Sequence, residues 1–509
     1  MSLLGLAGAV GCALAIGIFG RRQLGGFDHS VLVDLGWRLV SGQRPYVDFP
    51  CTVPVGFMMG GKYAFELFGV AWTSLVAFQA VFSALTFLWC LALLRRLGAN
   101  AGLAAGLALA VQAAADVVTS YWWYNPATTT IAAIFFLSAA AFWLTPRSVL
   151  IGSSYLFSLA LLATMKPNIA GVLILGVTLA LGCSPAHRWR MLGLSVAALG
   201  LFCGWLAWEG LSIHKVIRGY LSISSRGFTL HQFLQDLSRG EKAVSLLLLA
   251  MLMGPWLGYV VGMGRQAQNR LEAGSSLGVP IGLAVAAVLA GGYGFLTNGE
   301  SKLVDLPLLL LSLWWLAGPL AAEGPPEPDR PFFFGLSYVG AATLVLVIFG
   351  LTVGLVRERV ALIGSFFAPR LSARPIPTPF FAGFQGSDQL QEIDAEVTDM
   401  LRRLEPKRVF FGPRMQWAYA AYGRPSPTGQ PVWWHPGVAF PPGDEARYVQ
   451  AWAADHLDVL VFLRDDYTYL PESFLAVLKR DYLLLPSLAY PQLSVYTRLP
   501  VAAPAAVHG

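Results

Sequence analysis

The sequence predicts a polytopic α-helical membrane protein, with about eleven transmembrane helices and a small C-terminal α/β soluble domain. Three observations predict this. The 509-residue chain is 56% hydrophobic but only 13% charged, with a mean hydropathy of +0.58. Apolar runs of spanning length recur along the first two thirds, and the composition changes near residue 357. A soluble domain carries roughly 25% charged residues. So little charge cannot cover a fold of this size in water, so much of the surface must face lipid.

The net charge of +6 and pI near 9.0 do not indicate a nucleic-acid partner. The basic residues sit mostly at the ends of apolar runs, and no Lys/Arg cluster exceeds a pair. Of the five cysteines, Cys12, Cys90, Cys183 and Cys203 lie in apolar runs and read as small core residues. Cys51 falls in a loop and reads as a free thiol. No disulfide framework or metal-ligand spacing is present.

In chain order, the first apolar run (residues 3–19) has no basic segment before it and no small-x-small cleavage site after it, so it reads as a retained anchor. At about 20 apolar residues per crossing, further spans fall near 72–94, 101–118, 127–145, 148–165, 167–183, 191–209, 244–263, 276–296, 303–320 and 332–356. Residues 53–70 are apolar but interrupted by Gly60, Gly61, Lys62 and Glu66. They predict a helix at the membrane surface, or a short re-entrant one. If the spans alternate, Arg95, Arg96, Arg147, Arg188, Arg190, Arg265, Arg270 and Arg330 share one side. The positive-inside rule makes that side cytoplasmic. The outer side then holds the 21–71 loop, the 210–243 loop and the C-terminal tail. The first domain is thus residues 1–356, followed by a linker at 357–387 containing Pro369, Pro375, Pro377 and Pro379.

The domain at 388–509 opens with an Asp388 to Gln391 capping pattern and an amphipathic helix to about 404. Short β-type runs at 407–413, 457–463 and 493–498 alternate with helical patterns at 414–422, 445–456 and 472–480. No phosphate-binding glycine fingerprint occurs, so this domain is not read as a nucleotide site.

The first outer loop is the most unusual stretch. Asp28, His29, Asp34, Arg38, Arg44 and Asp48 share it with Phe27, Trp37 and Tyr46. A connector between spans needs only to be polar. Alternatively, Asp28 caps a helix beginning near Ser30, and the arginines simply pair with acids. An acidic residue soon after the first span is followed by Gly42-Gln43-Arg44-Pro45-Tyr46-Val47-Asp48-Phe49 and by an apolar helix ending in Leu67-Phe68-Gly69. This arrangement resembles the GT-C glycosyltransferases, nearest the bacterial protein mannosyltransferase, aminoarabinose transferase and RgtA/B/C/D-like group. The resemblance covers about the first 180 residues, through Tyr124-Asn125 and Met165-Lys166-Pro167-Asn168. The family commonly has Asp-Glu where this chain has Asp28-His29.

The resemblance implies a GT-C-like bacterial inner-membrane enzyme. It would transfer a sugar from a polyprenyl-phosphate donor to a lipid, glycan or protein acceptor at the outer face. By the family pattern Asp28 is the general base, and Asp48 is a second carboxylate that orients the loop or the sugar. His29, Tyr46, Tyr124 and Asn125 are candidate substrate contacts. No metal ligand set is assigned, and a requirement for a divalent cation is left open. The chemistry of such a donor needs a base for the acceptor hydroxyl and cations at headgroup depth. Lys166 lies at a membrane edge, where an unpartnered charge is costly; snorkelling is its alternative reading. Arg44 and, in the 210–243 loop, Arg226 are further phosphate candidates, since guanidinium grips phosphate with two hydrogen bonds. Ordinary solvation competes for each. The aromatics at 121–124 fit either an interfacial belt or a sugar-stacking wall. Trp433, Trp434 and His435 fit either an acceptor contact or domain packing; no second ligand makes His435 a zinc site.

The competing class is a transporter or flippase of lipid-linked saccharides. It predicts inverted repeats and charged or broken helices at the midplane. No convincing repeat occurs, and polar groups gather at one face instead. A polyprenyl-diphosphate-dependent ligase ranks lower, because it needs a large outer loop late in the chain.

Overall fold

A computed structural model describes residues 3–22, 24, 26–116, 120–221, 278–297, 306–317, 374–486 and 488–500. The chain forms two compact units. One comprises residues 1–16, 79–209 and 227–360, and the other residues 17–78, 210–226 and 361–509.

The described helices are α1 Leu3–Gly20, α2 Gly26–Val40, α3 Val55–Phe68, α4 Trp72–Arg96, α5 Ala101–Asp116, α6 Tyr124–Leu144, α7 Val149–Thr164, α8 Pro167–Gly182, α9 Arg188–Trp208, α10 Ile213–Leu221, α11 Gly278–Thr297 and α12 Leu306–Ala317. Among the described residues, α1, α4, α6 and α9 are long and apolar enough to cross a membrane. Residues 101–115, 149–164, 167–182 and 279–294 form shorter apolar helices. The expected spans at 244–263 and 332–356 lie outside the described residues. The chain is a mostly helical, multi-pass membrane protein. Its apolar helices turn large side chains outward, among them Leu14, Leu85, Leu150, Leu175 and Leu199. Lipid is the solvent that makes such exposure favourable. On α9, exposed Trp189 and Trp208 lie about 28 Å apart along the axis at 1.5 Å per residue, matching the two edges of a hydrocarbon core.

Within the first unit α6 is the central element, almost wholly buried and touching α5, α7, α8, α11 and α12. Helices α8 and α11 meet through small residues. A Cβ on Gly176 would come within 2.5 Å of the Ala286 Cβ, and one on Gly282 within 2.9 Å of the Ala180 Cβ. Each helix thus carries a small residue at i and i+4, the spacing that lets membrane helices approach closely. Between α4 and α5, Ser83 donates to Gln112 Oε1 at 2.9 Å, and Gln112 Nε2 donates to Thr86 Oγ1 at 3.0 Å.

Two expectations change here. Tyr121, Trp122 and Trp123 are buried, with Trp122 edge-on to Phe82 at 5.1 Å, so they form neither an exposed belt nor an open sugar wall. None of the five cysteines forms a disulfide, and Cys183 is exposed while Cys12 and Cys203 are half-buried. Of the four in apolar runs only Cys90 is a core residue.

In the second unit, α2 packs on α3 at a glycine crossing. A Cβ on Gly36 would come within 2.9 Å of the Phe65 ring and 3.2 Å of the Gly61 backbone. Helix α3 ends at Gly69, whose φ of +85° suits glycine. The tail supplies α13 Asp388–Leu404, α14 Trp417–Ala421, α15 Glu445–Ala454 and α16 Glu472–Asp481. Its four-stranded sheet has the order β3 Val409–Phe411, β4 Val459–Leu463, β6 Leu493–Arg498, β5 Tyr482–Leu484. Strands β3 and β4 are parallel, and β6 runs antiparallel to both its neighbours. A separate ribbon pairs β1 Arg374–Pro375 with β2 Gln385–Gly386. The cap of α13 is Ser387, whose Oγ accepts from Leu390 N at 3.2 Å. Asp388 is therefore the first helical residue, one position later than a cap, where the helix dipole favours an acid. Phe410, Trp434, Phe440, Trp452, Phe462 and Phe474 form an aromatic core over this sheet.

Candidate functional site

Helix α2 begins at Gly26, not near Ser30, so Asp28 lies within its first turn rather than capping it. The neighbouring His29 ring faces Trp72 at 5.9 Å. Burial pushes the His29 imidazole down from 6.5 to about 3, so it is neutral near pH 7 and offers no positive charge to a phosphate.

Two turns further on, Asp34 and Arg38 share one face of α2 at i and i+4. Arg38 Nε lies 2.8 Å from Asp34 Oδ2, and both side chains are buried. Burial pushes the Asp34 carboxyl up, while the Arg38 charge and a hydrogen bond from Ser426 pull it back. The guanidinium also donates through Nη1 to Pro427 O at 2.8 Å and, at 3.4 Å, to Gln43 Oε1. It lies 5.0 Å from the Phe49 ring centroid. Arg38 thus ties together a helix, a loop and a segment almost 400 residues away in sequence.

That segment is a strap formed by residues 424–430 of the tail. Trp37 Nε1 donates to Arg424 O at 2.8 Å. Ser426 Oγ donates to Asp34 Oδ1 at 2.5 Å, and Gln43 Nε2 donates to Ser426 O at 2.7 Å. Gly429 N donates to Asp48 O at 2.5 Å. Elsewhere the tail reaches α2 through Trp417 N, which donates to Ser30 Oγ at 3.1 Å.

Residues 44–49 close into a tight turn. Tyr46 N donates to Phe49 O at 2.9 Å, and Asp48 N to Arg44 O at 2.9 Å. The Asp48 carboxylate accepts from Arg44 N at 2.7 Å and lies 3.6 Å from Arg44 Nε. Both side chains keep solvent access, so Asp48 braces its own turn and leaves the Arg44 head mostly exposed. Tyr46 sits at φ +64°, a costly backbone for a bulky residue. Its hydroxyl is buried without a hydrogen-bond partner among the described residues. Its ring edge presses on Gly219 of α10, where a Cβ would come within 2.5 Å. Beside it, burial pushes the Cys51 thiol up to about 12, and Cys51 Sγ contacts Met58 Sδ at 3.0 Å.

The tail repeats this turn. Residues 45–50 read Pro-Tyr-Val-Asp-Phe-Pro, and residues 436–441 read Pro-Gly-Val-Ala-Phe-Pro. Gly437 N donates to Phe440 O at 2.8 Å, and each turn closes with a Pro–Phe bridge. Thr52 Oγ1 donates to Val438 O at 3.0 Å, joining the first loop to this second turn. The copy has Gly437 at φ +79° where the first has Tyr46. Glycine adopts that geometry freely, so the tyrosine is not needed to make the turn.

In the first unit, Lys166 is the N-cap of α8, with Pro167 at the first helical position. Lys166 Nζ donates to Asn125 Oδ1 at 3.3 Å and lies 5.5 Å from the Tyr124 ring centroid. The three candidates Tyr124, Asn125 and Lys166 therefore form one group. His29, Arg44, Tyr46 and Asp48 belong to the other unit. Arg226 lies outside the described residues. Lys215 and Arg218 are exposed on α10. Trp434 is a core residue of the tail, which settles its alternatives in favour of packing. His435 stacks on Tyr469 at 3.9 Å. Among the described residues no group of three or more His, Cys, Asp or Glu side chains is placed to hold a metal ion.

Sequence reasoning singled out the first loop but not the strap. The sequence Arg424-Pro425-Ser426-Pro427-Thr428-Gly429-Gln430 reads only as a turn-rich connector. A contact over such a separation has no local signature.

No protein-family model matches the chain, and no curated protein matches it. Among solved structures, the chain is similar to ArnT from Cupriavidus metallidurans in the apo state. The TM-score is 0.45 at 13% identity, covering 96% of this chain and 97% of that one. At that level of likeness neither the activity nor the substrate of ArnT transfers to this chain.

Proposed function

We propose that the chain is a membrane glycosyltransferase of GT-C type, moving a sugar from a polyprenyl-phosphate carrier to an acceptor hydroxyl at the outer face of the membrane. The observation that carries this reading is the 44–49 turn. It keeps a strained tyrosine whose buried hydroxyl has no hydrogen-bond partner among the described residues, although its copy at 436–441 forms with glycine. A connector has no use for such a residue, whereas strain that persists marks a working surface.

In this reading the Asp28 carboxylate takes the proton of the acceptor hydroxyl as its oxygen attacks the anomeric carbon. The bond from that carbon to the phosphate oxygen breaks, and polyprenyl phosphate leaves with the electron pair. One base and an in-line leaving group give inversion. Lys166 receives the phosphate, supported by Asn125 at its Nζ and by the positive end of α8. Asp48 shapes the turn rather than accepting the proton, because its carboxylate is engaged with the Arg44 amide.

The test is transfer of labelled sugar from polyprenyl-phosphate donors by the purified chain in proteoliposomes. Transfer supports the reading; movement of a labelled lipid-linked sugar across the bilayer without transfer overturns it in favour of a flippase. Lys166→Ala is expected to raise the KM for donor about tenfold or more, the scale of one hydrogen bond to a charged group, and to leave the KM for acceptor unchanged. An unchanged donor KM removes Lys166 from the phosphate site.

A further inference from the structure

We infer that the tail is a working part of the acidic loop, with the 424–430 strap positioning the 44–49 turn and Asp34, Arg38 and Ser426 acting as positioning residues. This rests on the reading of that loop as part of the transfer site.

The inference follows from where the bonds go. The turn's internal hydrogen bonds run between residues 44 and 49, so they set its shape but not its place. Among the described residues two links tie it to the strap, beside the contact of the Tyr46 ring with Gly219. The Asp48 carbonyl is held by Gly429 N, and the Phe49 ring lies beside the Arg38 guanidinium. Both lead to the strap, because Arg38 Nη1 donates to Pro427 O. Ser426 closes the circuit, donating to Asp34 while its carbonyl accepts from Gln43, just ahead of the turn. Pro425 and Pro427 flank Ser426, and their fixed φ reduces the conformations open to the strap.

The choice of side chains agrees with this role. An arginine fork donates from Nε and Nη1 in different directions, towards Asp34 on one side and Pro427 with Gln43 on the other. A lysine ammonium on a flexible stem cannot hold the same set. Asp34 is likewise engaged at both oxygens, one by Arg38 and one by Ser426. None of these groups is assigned a reacting role. They act through the turn that carries Arg44, Tyr46 and Asp48.

The experiment pairs amide hydrogen exchange at residues 44–49 with transfer kinetics, using the full chain in proteoliposomes. Ser426→Ala removes one hydroxyl, Ser426→Thr restores it, and Arg38→Lys keeps the charge but loses the fork. Ser426→Ala and Arg38→Lys are expected to speed exchange at residues 44–49 about tenfold and to lower kcat by a similar factor. Donor KM stays the same, and Ser426→Thr recovers both readouts. Unchanged exchange in Ser426→Ala and Arg38→Lys overturns the inference, because the turn then holds its place without the strap. Faster exchange with unchanged kcat also overturns it, because the strap is then structural only. Absence of transfer by the wild type overturns the transferase reading, and the exchange result then decides separately whether the strap holds the turn.

Discussion

At the scale of single residues, two side chains make predictions that depend on protonation or pairing. His29 has its imidazole pushed down to about 3 in the folded chain against 6.5 unfolded. Below pH 6.5 the unfolded state takes up a proton that the folded state refuses. Its contribution to stability is therefore full above that value and falls as pH drops towards 3, by up to about 1.4 kcal/mol per pH unit. Thermal unfolding in detergent between pH 7.5 and 5 is expected to show a steeper acid loss for the wild type than for His29→Gln; parallel curves contradict the burial. Tyr46 carries a buried hydroxyl without a hydrogen-bond partner among the described residues, and such a group costs about 1–3 kcal/mol. Tyr46→Phe is therefore expected to raise the melting temperature while lowering transfer activity. A variant that is more stable and fully active removes the hydroxyl from the site.

At the scale of elements, the period of the apolar residues in α13 was legible, as were the three β-type runs of the tail that appear as β3, β4 and β6. The start of α2 and the cap of α13 were displaced because helix starts depend on local hydrogen bonds that composition does not encode. Strand β5 went unrecognised, since Leu483 and Leu484 are exposed and give no alternation. Close packing of elements was also hidden, although glycine marks it in retrospect. Gly176→Leu is expected to push α8 from α11 and to cost about 1–3 kcal/mol or more, read as a lower melting temperature. Gly412→Ala in the tail should disrupt the site where Phe462 approaches most closely, since a Cβ there would meet that ring. Wild-type stability in either variant would contradict the packing described.

At the scale of the whole molecule, hydropathy disclosed a multi-pass membrane protein because lipid imposes a length and polarity that no soluble fold shares. The acidic loop stood out for the same reason: charge is scarce in this chain, so its concentration is conspicuous. Its anchoring to residues 424–430 was not legible, because the strap meets the loop through backbone groups and one serine hydroxyl, which are ordinary in their own neighbourhood. Sidedness is open to direct test. Protease added to intact spheroplasts is expected to cut within the tail, and protection there would place the acidic loop in the cytoplasm. We propose that a carboxylate in that loop serves sugar transfer. This is tested most directly by comparing wild type with Asp28→Asn for labelled-sugar transfer from polyprenyl phosphate. A loss of about 100-fold or more, the contribution of a general base, is the expected result; full transfer by Asp28→Asn would contradict the account.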